Sequence, residues 1–173
     1  MSAETFLVLT VIGDDRPGLV GELAAAIAAH QGNWLESSMS RLAGKFAGIV
    51  KVSVPATQAA ALHASLGKLV ALKVVAESSE QKSAATGRRL KLALVGHDRI
   101  GIVREVSQVL ARHAVNVEKL ETHTASAPMS AETLFHAQAE LFAEGTLDAR
   151  ALKSELERLS DDLMVDITLD ETI

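Results

Sequence analysis

Gly13-Asp14-Asp15-Arg16-Pro17-Gly18-Leu19-Val20-Gly21-Glu22 and Gly96-His97-Asp98-Arg99-Ile100-Gly101-Ile102-Val103-Arg104-Glu105 are two copies of one stretch. They agree at Gly13/Gly96, Asp15/Asp98, Arg16/Arg99, Gly18/Gly101, Val20/Val103 and Glu22/Glu105, six positions of ten, where ordinary composition would give about one. The same spacing of 83 residues carries on through Ala28/Ala111, His30/His113 and Asn33/Asn116. A period this long exceeds those of the common solenoid repeats and indicates a duplicated domain. The 173 residues are therefore expected to form one domain at 1–77, a linker at 78–87 and a second domain at 88–173. Each half is near the lower size limit for independent folding, so the halves are expected to lean on each other.

Outward from the motif, Thr5 to Ile12 is an almost unbroken apolar run rich in β-branched residues, expected as a strand buried on both faces or central in a sheet. Val20, Leu23, Ala24 and Ile27 follow with helical spacing, and His30-Gln31-Gly32 supplies a stop. The motif is thus a strand-to-helix turn. Asn33–Leu42 and Gly48–Val54 read as strands joined by a turn at Gly44-Lys45, Thr57–Leu66 as a helix and Leu69–Ala76 as a fourth strand. Ser78 to Thr86 is small, polar and aperiodic, as a linker would be. The order then repeats: strand Leu90–Val95, helix Ile100–Arg112, strands Asn116–Thr124 and Thr133–Leu141, helix Leu147–Leu159, strand Leu163–Leu169. The class is α+β, two ferredoxin-like βαββαβ units with antiparallel sheets and helices on one face. One departure stands out, the connection Ala125 to Glu132, longer than the Gly44-Lys45 turn and a place to expect a specialised contact.

Composition narrows the function. With 48% hydrophobic and 23% charged residues and a mean hydropathy of +0.20, the chain has a globular composition. A net charge of −5 argues against direct nucleic-acid binding, which needs clustered cations, and Arg88-Arg89-Lys91 reads as a solvated linker end. One Trp, four Phe and no Tyr leave few platforms for stacking bases. The absence of cysteine removes disulfides, thiolate catalysis and Cys-based metal sites. No basic leader precedes Thr5 and no apolar run reaches membrane-spanning length, so a cytoplasmic protein without membrane contact is expected. His30 and His113 sit at equivalent helix ends, where the dipole favours them; His123 and His136 lie on neighbouring strands without a third ligand at recognisable spacing. Ser37, Ser38 and Ser40 have no His-Asp pattern nearby, and no Gly-rich phosphate loop is present. No catalytic residue, metal or cofactor is expected, and the chain is not expected to be an enzyme.

Asp15-Arg16-Pro17-Gly18 before a small-residue helix, inside a βαββαβ unit, resembles the ACT domain, a ligand-sensing module of amino-acid metabolism. Gly32 to Phe46, together with Thr122 to Ser130 and Leu134-Phe135-His136-Ala137, is similar to the tandem-ACT glycine cleavage system transcriptional repressors, over essentially the whole chain. The resemblance implies a regulator without a DNA-binding domain that acts on a LysR-type activator, with glycine as its signal. Two of the four mismatches matter: Ile100 replaces Pro17, leaving φ less restricted, and His97 replaces Asp14.

The turn makes physical sense as a site. A helix N-terminus offers unpaired amides and partial positive charge to a carboxylate, Gly18 permits close approach, and Asp15 would meet an ammonium group. Arg16 would clamp a carboxylate, pair with an acidic partner or do neither. Asn33 and Glu36 are expected to line the same edge. With Gly13 and the repeat positions Asp98, Arg99, Gly101 and Asn116, these are the candidate ligand-binding residues. Structural roles compete for the same side chains: Asp15 as a helix cap, Gly18 as a packing position, Arg16 as surface. The expected function is an amino-acid-sensing regulator that works through a protein partner, in a homo-oligomer. The alternatives are a ligand-free assembly module and a remnant of an ACT-containing hydrolase.

Overall fold

The computed structural model describes residues 3–80, 86–129, 131–163 and 165–172. Backbone contacts divide the chain into two units, Met1–Ser83 and Ala84–Ile173. Residues 81–85, half of the expected linker, lie outside the described residues, while Ser78 and Ser79 already belong to a strand.

The first unit runs β1 (Glu4–Asp14), α1 (Leu19–Ala29), β2 (Asn33–Leu42), β3 (Lys45–Pro55), α2 (Ala56–Leu66) and β4 (Leu72–Ser79). The second repeats the order with β5 (Arg88–His97), α3 (Ile102–Arg112), β6 (Asn116–Ser126), β7 (Thr133–Ala143), α4 (Ala149–Leu163) and β8 (Val165–Thr172). The sheets are antiparallel, ordered β2-β3-β1-β4 and β6-β7-β5-β8. The expected α+β class, two ferredoxin-like units, is the one observed.

Alternation along each strand builds each core. Leu7, Leu9 and Val11 of β1 and Val50, Val52 and Val54 of β3 point to the helix side, where they meet Leu23 and Ile27 of α1 and Leu62 and Leu66 of α2. The second unit repeats this with Leu90, Leu92 and Leu94 packed against Val106, Leu110, Leu152 and Leu156. Burying one such side chain contributes about 1.5–3 kcal/mol, so these two layers carry most of the apolar stabilisation. β1 is central, as expected, but buried on one face only: Thr10 and Ile12 on the other face are exposed. Helices cover a single side of the sheet, so the far face stays open.

Several element boundaries differ from the sequence reading, and three bear on the architecture. The β2–β3 turn is Ala43-Gly44, both at positive φ, with Leu42 paired to Lys45. β4 starts at Leu72 rather than Leu69, because the chain first crosses beneath β1, where a Cβ on Gly13 would lie 2.3 Å from the Ala71 carbonyl oxygen. Leu163 closes α4 as a buried residue instead of opening β8.

Candidate functional site

Each strand-to-helix turn reaches its helix through a glycine in the left-handed region. Gly18 has φ 94° and Gly101 φ 94°; both are N-caps, and neither helix has a side-chain cap. Asp15 is therefore not the helix cap, and the first-turn amides keep their hydrogen-bonding capacity for something else. Asp15 N–H donates to the Gly44 carbonyl at 3.0 Å and Asp98 N–H to that of Thr133 at 3.0 Å, which ties each turn to the neighbouring hairpin.

Charge at the first turn is already organised. Arg16 reaches forward to Glu22 at 2.6 Å, and Arg99 repeats the contact with Glu105 at 2.6 Å. Arg41, from the end of β2, holds Asp15 at 2.6 Å. Lys45 pairs with Asp14 and holds its carboxyl below the usual range. These exposed pairs are screened by solvent and weak enough for an incoming carboxylate or ammonium to displace them. Asp15, Arg16 and Gly18, with Leu19, Val20, Gly21 and Phe46, line an open hollow of about 160 Å³.

The other candidates stand elsewhere. Gly13 faces β4 and is required by the close passage of Ala71, not by the hollow. Asn33 pairs with Ser53 and Glu36 with Lys51, whereas the turn end of the sheet is marked by the Asp14/Lys45 pair. Eight residues of β3 separate Ser53 from Lys45, roughly 26 Å at about 3.3 Å per residue. Asn33 and Glu36 thus do not line the turn within one domain, and Asn116, opposite Phe142, is equally far from the second turn. The helix explains the correction: α1 runs back along β1, so β2 begins at the far end of the sheet. Glu22, Glu105, Arg41 and Phe46 were not picked out as site residues, although Glu22/Glu105 is an identity of the repeat and lies six residues beyond each arginine.

Residues 5–74 match the ACT domain family. A protein of unknown function from Galdieria sulphuraria is similar to the chain from end to end, at 30% identity over 99% of this chain and 100% of that one, with a TM-score of 0.86. The chain is a tandem ACT-domain protein. A protein carrying the provisional name glycine cleavage system transcriptional repressor matches this tandem ACT-domain protein over 99% of both chains, with a TM-score of 0.71 at 19% identity, a likeness of fold. No curated protein sequence matches.

In the second ACT domain the long connection sits against the turn: His97 Nδ1 is 3.5 Å from Glu132, and Ala127 N–H donates to the Glu132 carbonyl at 2.9 Å. Ile100 on the turn and Met129 on the connection are fully exposed. His113 does more than end its helix: its Nε2 lies 2.6 Å from Glu155, which Arg112 also holds at 2.9 Å, so the end of α3 is clamped to α4. These two contacts, Arg112 first, hold the Glu155 carboxyl below its usual range. His30 of the first ACT domain has only a 3.5 Å contact with Gln58. His123 and His136 face each other across β6 and β7 with rings stacked, centroids 4.7 Å apart. Among the described residues no group of three or more His, Asp or Glu is placed to hold a metal ion, and no described helix is long and apolar enough to cross a membrane.

Proposed function

We propose that this tandem ACT-domain protein senses a small amino acid, glycine first among the candidates, and regulates transcription in the cytoplasm through a protein partner rather than by gripping DNA. The observation that carries the reading is the hollow at the first turn, where an uncapped helix N-terminus lies beside Asp15 and Arg16. It offers a zwitterion amides and a guanidinium for its carboxylate and an aspartate for its ammonium. Glycine has about five heavy atoms; at a ceiling of about 1.5 kcal/mol per atom it gains at most roughly 7 kcal/mol, a Kd no tighter than about 10 μM. That range suits a sensor of a metabolite.

The partner in this reading is a LysR-type activator, taken from the resemblance to the glycine cleavage repressors. The exposure of Ile100 and Met129 supports a contact at the second turn and its long connection. A bare assembly module is the second reading, favoured by β6, an edge strand whose eleven residues are all exposed and which is free to pair with another copy. Thermal shift of the full chain against the twenty amino acids separates the two. Stabilisation by glycine or a close relative that grows with concentration supports the sensor; no shift at millimolar levels supports the module.

A further inference from the structure

The sheet faces that the helices leave open differ between the two domains. In the first, Val8, Thr10 and Ile12 of β1 stand between Lys51, Ile49 and Ala47 of β3 and Glu77, Val75 and Lys73 of β4. Ile12, Ile49 and Val75 are 44%, 54% and 48% exposed, so three aliphatic side chains share one solvent-facing patch. At the repeat spacing Thr10 becomes Ala93, and its neighbours across the sheet are Gln138 and Thr168 in place of Ile49 and Val75. Lys91 stands for Val8, and Asp170 and Asp166 stand for Glu77 and Lys73. The first face is apolar at its centre and its copy is polar, and a contiguous exposed apolar patch marks a surface of association.

Charge around the patch indicates what covers it. Ile49, Thr10 and Val75 form the middle of three rows, with Lys51, Val8 and Glu77 on one side and Ala47, Ile12 and Lys73 on the other. Two sheets stack face to face about 10 Å apart with their strands nearly aligned. A two-fold axis lying across the strands, along the Thr10 row, sets each strand on its own copy and exchanges the outer rows. Val75 then meets the partner's Val75, Ile49 the partner's Ile49, and Val8 the partner's Ile12. Glu77 meets the partner's Lys73, and the symmetry makes that contact twice. Among the described residues neither Lys73 nor Glu77 has an ion pair within its own chain, so both are available for it. The second domain lacks this match: with Asp166 and Asp170 at the two positions, the same stacking would set carboxylate against carboxylate.

We propose that the open face of the first sheet docks on the same face of a second copy of this chain, in a two-fold dimer with β4 lying over β4. The aliphatic centre supplies the apolar contact, and the Glu77–Lys73 pairs fix which rows meet. The dimer rests on this face alone and holds whether or not the turn takes an amino acid.

Sedimentation velocity of the full chain, from micromolar to millimolar protein, is the test, and a concentration-dependent dimer is expected. Lys73→Glu sets two carboxylates against each other and Glu77→Lys two ammonium groups, so each variant alone should dimerise about ten-fold more weakly or worse. Mixed in equal amounts, the two variants bring opposite charges together at both contacts, and the mixture should dimerise as tightly as the parent. Ile49→Asp, which places like charges at the centre of the patch, should also weaken the dimer and keeps the test available should either β4 variant fail to fold. A chain that is monomeric throughout, or a dimer unchanged in the folded single variants, as pairing along an edge strand would be, overturns the assignment. So does a mixture that associates no more tightly than its components.

Discussion

Arg41 Nε lies 2.6 Å from Oδ2 of Asp15, and the residue at the repeat position of Arg41 is Thr124. One copy of the motif thus has its aspartate neutralised by a neighbouring strand, while Asp98 has no arginine at that position. An ammonium group entering the first turn must displace Arg41. Arg41→Thr is expected to change folding stability by no more than about 1 kcal/mol, and to tighten glycine at the first turn by up to about five-fold, the equivalent of roughly 1 kcal/mol. Titration calorimetry of the two proteins measures the difference.

The glycines of the motif do different work, and substitution separates them. Gly18 and Gly101 occupy φ 94°, where an L side chain is strained, so Gly18→Ala and Gly101→Ala should each cost about 1–2 kcal/mol. Gly13 is held by contact instead, since its Cβ would meet the Ala71 carbonyl at 2.3 Å. Gly13→Ala should cost about 1–3 kcal/mol as the start of β4 is pushed away. Denaturant unfolding followed by the fluorescence of Trp34, the one tryptophan, reports the two first-domain variants. The distinguishing result is the ligand response: Gly13→Ala keeps it, because Gly13 does not line the hollow.

Acid should loosen the clamp between α3 and α4. Arg112 and then His113 hold Glu155 below its usual range. Since the folded value is depressed, the contribution is complete above the unfolded glutamate value of about 4.3 and is lost as pH falls through the lower folded value. Glu171, held down by Arg88, and Asp14, held down by Lys45, add to the same acid limb. Glu155→Gln should melt lower than the parent near neutral pH, with the gap closing as pH falls toward about 3. Melting curves across that range check it.

The fold was readable because each level of the sequence agrees with the next: the spacing of 83 residues, the strand alternation and the turn residues all point to βαββαβ twice. The site was only half readable. Gly18 and its repeat were recognisable at the helix start, but the partners of Asp15 and Arg16 depend on which strand end comes back to the turn. Arg41 reaches Asp15 from the end of β2, 26 residues along the chain, through the hairpin that Gly44 closes. Asn33 and Glu36, expected along the same edge as the turn, stand away from it because α1 carries the chain to the opposite end of the sheet before β2 begins.

The most direct measurement is an amide NMR titration of the full chain with glycine. The account predicts saturable shifts centred on Gly18, Leu19, Val20 and Gly21, the end of α1 that lines the hollow, with a Kd no tighter than about 10 μM. Spectra unchanged up to millimolar glycine, or shifts that leave these amides untouched, would contradict it.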